Sequence, residues 1–159
     1  LDLAVNGVQL VLIDSHNPPE IPTGGGLVSQ AQLHWLEKIC TADDSRPMVV
    51  GIHHHTIPLL TSLDRIRIEN GEDLHAVLLK AKDRLRGVFY GHIHETSITV
   101  RDGISYYSTQ SGWYQLQTYY AQPEIAHDPL PNPGLNLVTI TETDTFVRAI
   151  RIPVYTSDG

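Results

Sequence analysis

Three short apolar segments, separated by helical patterns, constrain the fold of this chain more than any other feature. The first runs from Val8 to Ile13 and is followed by Asp14, the second runs from Pro47 to Ile52, and the third is GVFY, Gly87 to Tyr90. Nearly continuous apolar character over so few residues is typical of strands covered on both faces. Strands that alternate with helices predict βαβ units and a largely parallel sheet.

The two helical patterns carry different end signals. The first follows Ser29, which forms a possible capping box with Gln32 and precedes leucine and isoleucine residues at helical spacing. The second is predicted over Asp73 to Arg86, with acidic residues at its start and basic residues near its end, as the helix dipole favours. Both segments are therefore predicted to be amphipathic helices that cover the sheet.

The pattern changes after Glu95. The stretch SITVRDGISYYSTQ predicts two antiparallel strands around Asp102-Gly103, a strong hairpin signal. Residues 112–133 are aromatic and then proline-rich, and we expect a long excursion there that lines a site or covers an edge. LNLVTIT and TFVRAIRIPV predict a last hairpin. The prediction is thus a single α/β domain over residues 1–159, a mixed sheet in which parallel βαβ units precede antiparallel hairpins.

Composition excludes several classes of partner. The formal net charge is −7 and no basic run is present, which argues against a nucleic-acid polymer or an anionic membrane as partner. Cys40 is the single cysteine, so no disulfide framework is expected and a reducing compartment fits; we predict a soluble, cytoplasmic protein. The chain begins at Leu1 and enters a strand almost at once, as if upstream sequence were missing.

Histidines cluster directly after two of the predicted parallel strands. His53, His54 and His55 follow PMVVGI, whereas His92 and His94 follow GVFY. The carboxyl ends of parallel strands are where ligand sites gather in open α/β sheets, and imidazoles are common ligands of transition metals. Either cluster alone is compatible with a polar, solvated loop. Together they favour a metal site, in which one or two of the triple histidines join the pair.

The GHIH stretch predicts a specific local geometry. His92 and His94 can project to one side of the chain while Ile93 points back to the core. Gly91 is expected to let the backbone turn sharply before them.

The stretches MVVGIHHHTIPL and GVFYGHIHET, in this order, resemble the C-terminal half of the calcineurin-like metallophosphoesterases. The similarity is greatest to their cyclic-nucleotide phosphodiesterase branch and covers roughly Val8 to Gln110. It implies one half of an αββα sandwich of the metallophosphoesterase type. In that family a centre of two divalent metal ions (Fe, Mn or Zn) lies between the sheets, and a hydroxide that bridges them attacks a phosphate ester.

The resemblance also implies roles for individual histidines. His53 resembles the loop histidine that binds one metal, His92 the ligand that shares this metal, and His94 the ligand of the other metal. His54 is the alternative to His53, because a triple histidine allows a slip of one residue. The family usually has proline after its histidine pair, where this chain has His55-Thr56.

The N-terminal motifs of the family, D-x-H, G-D-x-x-D and G-N-H, supply its remaining ligands, and the last two do not occur here. DSH, Asp14 to His16, spells the first motif. In the family this strand follows all three motifs, so Asp14 is expected to cap the strand exit instead. We therefore expect a C-terminal portion that supplies three histidines, binds at most one metal alone and lacks assigned catalytic residues.

Two functional hypotheses follow. The chain is a metallophosphoesterase, or the C-terminal fragment of one, that acts on a small phosphate ester such as a cyclic nucleotide, with the N-terminal half of the same protein or a second copy as partner. Alternatively, it is a catalytically inactive interaction module on the same scaffold. The aromatic residues of the excursion either stack on a nucleobase or pack onto the sheet; they are Trp113, Tyr114, Tyr119 and Tyr120. A serine or cysteine nucleophile is disfavoured, since no G-x-S-x-G motif is present.

Overall fold

The computed structural model describes residues 2–5, 7–16, 19, 24–128 and 132–153. Its centre is a six-stranded mixed sheet with the spatial order β1-β2-β3-β4-β6-β5. These strands are β1 (Asp2–Val5), β2 (Val8–Ile13), β3 (Met48–Ile52), β4 (Leu85–Tyr90), β5 (Ile98–Arg101) and β6 (Ile104–Ser108). The α-helices are α1 (Gln30–Cys40) and α2 (Gly71–Leu78). Strands β2, β3, β4 and β6 run parallel, and β1 and β5 pair antiparallel at the edges, so the predicted α/β class is confirmed.

One face of the sheet forms the core with the helices. Alternate strand residues such as Val11, Val50 and Val88 are fully buried against helical residues such as Leu36 and Leu74. The intervening residues are more exposed, and burial along β3 therefore alternates. The expectation of strands covered on both faces is not met in the described residues, because both helices contribute their buried side chains to the same core.

The second helix is shorter than its sequence pattern predicts. It ends at Leu78, a short 3-10 turn covers Leu79–Ala81, and the chain then enters β4 at Leu85. Leu85 pairs with Met48 of β3, so the predicted helix bound at Arg86 is wrong. Buried Arg84 stabilises the turn between helix and strand, since its guanidinium donates to the carbonyl oxygen of Ile39 at 2.8 Å.

Both predicted hairpins are present. Asp102 and Gly103 have positive φ angles of 52° and 81°, the conformation of the favoured two-residue hairpin turn. The second hairpin joins β9 (Gly134–Ile140) and β10 (Thr145–Arg151), and Val154, the last residue of its predicted range, lies outside the described residues. The predicted excursion contains a short hairpin of its own. Its strand β7 (Leu116–Gln117) pairs with β8 (Ala126–His127), and residues 129–131 lie outside the described ranges.

A search of the described residues for a membrane-spanning helix finds none of the required length and apolarity.

Candidate metal centre

The two histidine clusters meet at the carboxyl edge of the sheet. The last residues of β3 and β4, Ile52 and Tyr90, are direct partners, and the Gly91 amide donates to the carbonyl oxygen of His53 at 3.1 Å. His53 Nε2 lies 3.0 Å from His92 Nδ1, although the residues are 39 positions apart. The predicted convergence of the two loops is therefore present in the structure.

A third imidazole completes the group. The ring centroid of His54 lies 4.3 Å from that of His92 and 4.8 Å from that of His53. Among the described residues, His53, His54 and His92 form a group in which one ligand atom from each lies within 4.8 Å of the others. His54, which the sequence left as the alternative to His53, thus lies beside it in the same group.

The backbone of the GHIH stretch carries strain at the histidines themselves. His92 and His94 have φ angles of 64° and 50°, in the left-handed region that residues with a side chain rarely adopt. Ile93 between them is buried at 1% exposure, as predicted. Gly91 is not among the positive-φ residues, but the tight turn starts there: its carbonyl oxygen accepts a hydrogen bond from the Ile93 N–H at 2.7 Å, with His92 at the centre of the turn. The left-handed φ angles in this stretch therefore lie at the two histidines and not at the glycine.

Ser15 fixes the ring of His54 from behind. Both side chains are buried, at 4% and 6% exposure, and Ser15 Oγ lies 2.8 Å from His54 Nδ1. The His54 backbone N–H also donates to Ser15 Oγ at 3.3 Å. A Cβ atom at Gly26 would come within 2.6 Å of His54 Nδ1, so only glycine leaves room for the ring there. Sequence reasoning missed this contact; the signal was a serine two residues after the end of β2, the strand beside β3.

The DSH stretch does not join the histidine group. Asp14 and His16 are both exposed. The backbone N–H of Asp14 donates to Gln32 Oε1, and the Gln32 side chain donates to the Asp14 carbonyl oxygen. Ser29 caps α1 through the Gln32 N–H, but Gln32 bonds to Asp14, so only half of the predicted capping box forms. Gln32 thereby connects α1 to the end of β2, next to Ser15.

His94 lies beside the group of three rather than in it. Its ring packs against Tyr114 with centroids 4.3 Å apart, and its carbonyl oxygen accepts a hydrogen bond from the Leu116 N–H. Its buried Nδ1 has no hydrogen-bond partner among the described residues. The role of His94 as a ligand of a second ion remains a prediction.

His55, the last of the triple, turns into the protein. It is fully buried, and its Nε2 lies 3.7 Å from Asp64 Oδ1. Burial lowers its pKa to about 4, against the opposing effect of the Asp64 carboxylate. The triple histidine therefore supplies two imidazoles to the group and one to the interior.

Burial and mutual repulsion keep the grouped imidazoles neutral. Desolvation, followed by the neighbouring His54 and His53, lowers the pKa of His92 to about 4. Desolvation is also the main cause of the lowered pKa values of His53 and His54. Neutral imidazole is the form that binds a metal, and His92 Nε2 is buried with no hydrogen-bond partner in the described part of the chain. These donors fit a divalent transition metal such as zinc or iron.

The chain is thus an α/β protein in which two histidine loops, at the ends of adjacent parallel strands, form a candidate metal centre. No protein-family model matches the chain. Among curated proteins it is similar to a probable cyclic nucleotide phosphodiesterase of Psychrobacter sp. (strain PRwf-1), with 26% identity over 115 residues, 72% of this chain and 33% of the relative. It is 25% identical to the 3′,5′-cyclic-nucleotide phosphodiesterase of a Nostoc species over 80% of this chain and 47% of the relative.

A third relative is the 3′,5′-cyclic adenosine monophosphate phosphodiesterase CpdA of Pseudomonas aeruginosa, 32% identical over 92 residues, 57% of this chain and 32% of the relative. This chain is thus a homologue of cyclic nucleotide phosphodiesterases, which belong to the calcineurin-like metallophosphoesterase family, and the resemblance drawn from the two histidine motifs is confirmed. The matched region spans between 32% and 47% of the length of these three relatives.

Proposed function

We propose that this chain supplies the histidine side of a metal-dependent phosphoesterase site that hydrolyses small phosphate esters, 3′,5′-cyclic nucleotides among them. The observation that carries the proposal is the approach of His53 Nε2 to His92 Nδ1, at 3.0 Å, from two loops that are distant in sequence. The names of the relatives support the reaction class, since each is called a phosphodiesterase.

Under this proposal, His53 and His92 hold one divalent ion, with His54 as the alternative loop ligand, and His94 holds a second. Bound ions of this kind lower the pKa of water and neutralise the charge that develops on a phosphate during its hydrolysis. The group of three contains imidazoles only, so the carboxylate that would bridge two ions must come from elsewhere. We assign it to an N-terminal half of the same protein, or to a second copy, and expect at most one bound ion in this chain alone.

The residues of this chain prepare the site in three ways. Desolvation keeps His92 uncharged at neutral pH, so that its lone pair is free for a metal. Ser15 holds the ring of His54, and Tyr114 packs against the ring of His94. We further propose a cytoplasmic location, because the single cysteine is a buried free thiol.

Metal content and ester turnover test the proposal. We expect zinc or iron to copurify with, or be taken up by, the wild-type chain, and the variant with both His53→Ala and His92→Ala to lose it. His34→Ala, a change of the same kind at an exposed position of α1, is the matched control and should retain metal. Turnover of bis-p-nitrophenyl phosphate should appear when the N-terminal half is supplied. Absence of bound metal, with no turnover on addition of that half, would overturn the proposal.

A further inference from the structure

We propose that Trp113 is a stacking platform for the nucleobase of a nucleotide whose phosphate lies at the histidine group, and that Tyr114 supports it. This inference rests on the proposed phosphoesterase function and assigns the base-binding part of its site. It starts from a large aromatic side chain that burial does not explain. Trp113 is 79% exposed, so it does not pack the excursion onto the sheet.

The segment that carries Trp113 is fixed to the GHIH loop. The Leu116 N–H donates to the carbonyl oxygen of His94 at 3.2 Å, and Thr118 Oγ1 donates to Glu95 Oε2 at 2.9 Å. Before them, the Trp113 N–H donates to Ser111 Oγ at 3.1 Å. The backbone that follows Trp113 is therefore held against the GHIH loop, and a local hydrogen bond to Ser111 holds the backbone of Trp113 itself.

The rings form a continuous path from the site to solvent. The ring of Tyr114 lies 4.3 Å from that of His94, and the ring of Trp113 lies 5.0 Å from that of Tyr114 in an edge-to-face arrangement. Tyr114 also contacts His127 at 5.5 Å, so its faces are already engaged. Trp113 is the ring that remains available, and the two centroid distances place it within about 9 Å of the His94 ring.

The chemistry of the indole selects the ligand. Every nucleobase has a π face, and stacking on an exposed aromatic side chain adds affinity without requiring a particular base. A phosphate ester without an aromatic group would contact only the histidines. We therefore commit to a nucleoside monophosphate, in its cyclic or open form, as the ligand class, and use adenosine monophosphate as the probe.

The chain contains two tryptophans, which makes the test direct. Trp35 packs against the core, and its replacement in Trp35→Phe leaves Trp113 as the one tryptophan reporter. The full chain is loaded with zinc and titrated with adenosine monophosphate and, separately, with ribose 5-phosphate. We expect adenosine monophosphate to quench the Trp113 emission and to bind about tenfold more tightly than ribose 5-phosphate.

Variants separate stacking from a change in fold. By equilibrium dialysis, Trp113→Ala should weaken adenosine monophosphate binding about tenfold and leave ribose 5-phosphate binding unchanged, whereas Trp113→Phe should retain part of the difference. Tyr120→Ala is the matched control, because Tyr120 is also 79% exposed in the same excursion, and it should bind both ligands as the wild type does.

The outcomes distinguish the two proposals. Equal binding of the two ligands, or no effect of Trp113→Ala, would overturn the platform and leave the phosphoesterase proposal standing. Quenching by adenosine monophosphate that persists without metal and in His92→Ala would show stacking without a phosphate at the histidine group, and would overturn the proposal that one nucleotide spans both; metal uptake by the wild-type chain decides the phosphoesterase proposal separately. No response of Trp113 to any nucleotide would overturn the platform.

Discussion

At the scale of single residues, the site depends on two histidines in an unfavourable backbone conformation. A left-handed φ at a residue with a side chain costs on the order of 1–3 kcal/mol and persists only where the surroundings enforce it. Here buried Ile93 enforces it, because its side chain enters the core and leaves His92 and His94 on either side to make the turn. Such strain is common at functional sites, which agrees with a role for these two residues.

Replacing His92 with glycine should reveal this strain. Both His92→Gly and His92→Ala remove the imidazole, but only glycine adopts a φ of 64° without a steric penalty. We expect the free energy of unfolding of His92→Gly to exceed that of His92→Ala by about 1 kcal/mol in urea titrations. Equal stability of the two variants would show that the backbone at this position is not strained.

Stability should fall as the solution becomes acidic. Burial holds the pKa values of His55 and His92 at about 4 in the folded protein, below the ordinary value of 6.5. Between pH 6.5 and 4 the unfolded chain takes up these protons and the folded chain does not, so the free energy of unfolding decreases as pH falls through that window. Above pH 6.5, both rings are neutral in the folded and in the unfolded chain, and their contribution to the free energy of unfolding is fully present.

The urea midpoint measured from pH 8 to pH 4 tests this expectation. His55→Leu removes a fully buried imidazole whose nitrogens have no hydrogen-bond partner within the described ranges. We expect this variant to lose less stability between pH 6.5 and 4 than the wild type. Identical pH profiles for the two proteins would contradict a neutral, buried His55.

At the scale of elements, α2 supports the histidine loop by close contact. The helix begins at Gly71, where a Cβ atom would lie only 1.9 Å from the carbonyl oxygen of Thr56. Thr56 directly follows the triple histidine. The side chain of Asn70, just before the helix, exchanges two hydrogen bonds with the backbone of Val28. The loop that carries His53 and His54 thus rests on the first turn of α2.

A methyl group at position 71 should disturb the site from a distance. We expect Gly71→Ala to lower the free energy of unfolding by about 2 kcal/mol or more and to weaken zinc binding, because the Thr56 backbone must move. Gly112→Ala is the control, since a Cβ there has nothing within 4 Å. Thermal melts and zinc titrations measure both effects, and wild-type behaviour of Gly71→Ala would refute the close contact.

The secondary-structure elements could be predicted from the sequence where a local sequence signal determines where they begin and end. Asp102-Gly103 specifies its turn through two positive φ angles, and alternation along β9 and β10 specifies the last hairpin. The end of α2 was not predictable, because Leu85 continues the helical spacing and only its pairing with Met48 moves it into the sheet. For the same reason the contact of Ser15 with His54 was missed: it depends on the neighbourhood of β2 and β3, not on any motif.

At the scale of the whole molecule, the sheet face opposite the helices is only partly covered. A groove of about 740 Å³ lies between this face and β9. Its lining is largely apolar and includes Val8, Leu10, Val49, Phe89, Leu135 and Val138. Contiguous apolar surface of this kind marks an interaction site or a risk of aggregation. We therefore expect a further part of the protein, or a second copy, to cover this face.

The isolated chain should self-associate through this face. Sedimentation velocity at rising protein concentration is expected to show dimers or larger species. Leu135→Lys places a charge in the groove at a residue that is 44% exposed and should shift the population to monomer. Leu137→Lys is the matched control on the same strand: this residue is 51% exposed but does not line the groove, so association should persist. A monomeric wild type at high concentration would contradict the expectation.

The spatial order of the strands has a consequence for synthesis. From β1 to β4, each strand pairs with the one made just before it, so the growing sheet always extends at the edge that faces the incoming chain. Up to β4, this topology lets each strand pair without displacing an earlier one. His53 is synthesised 39 residues before His92, so the two histidine loops can become neighbours only after β4 has paired with β3.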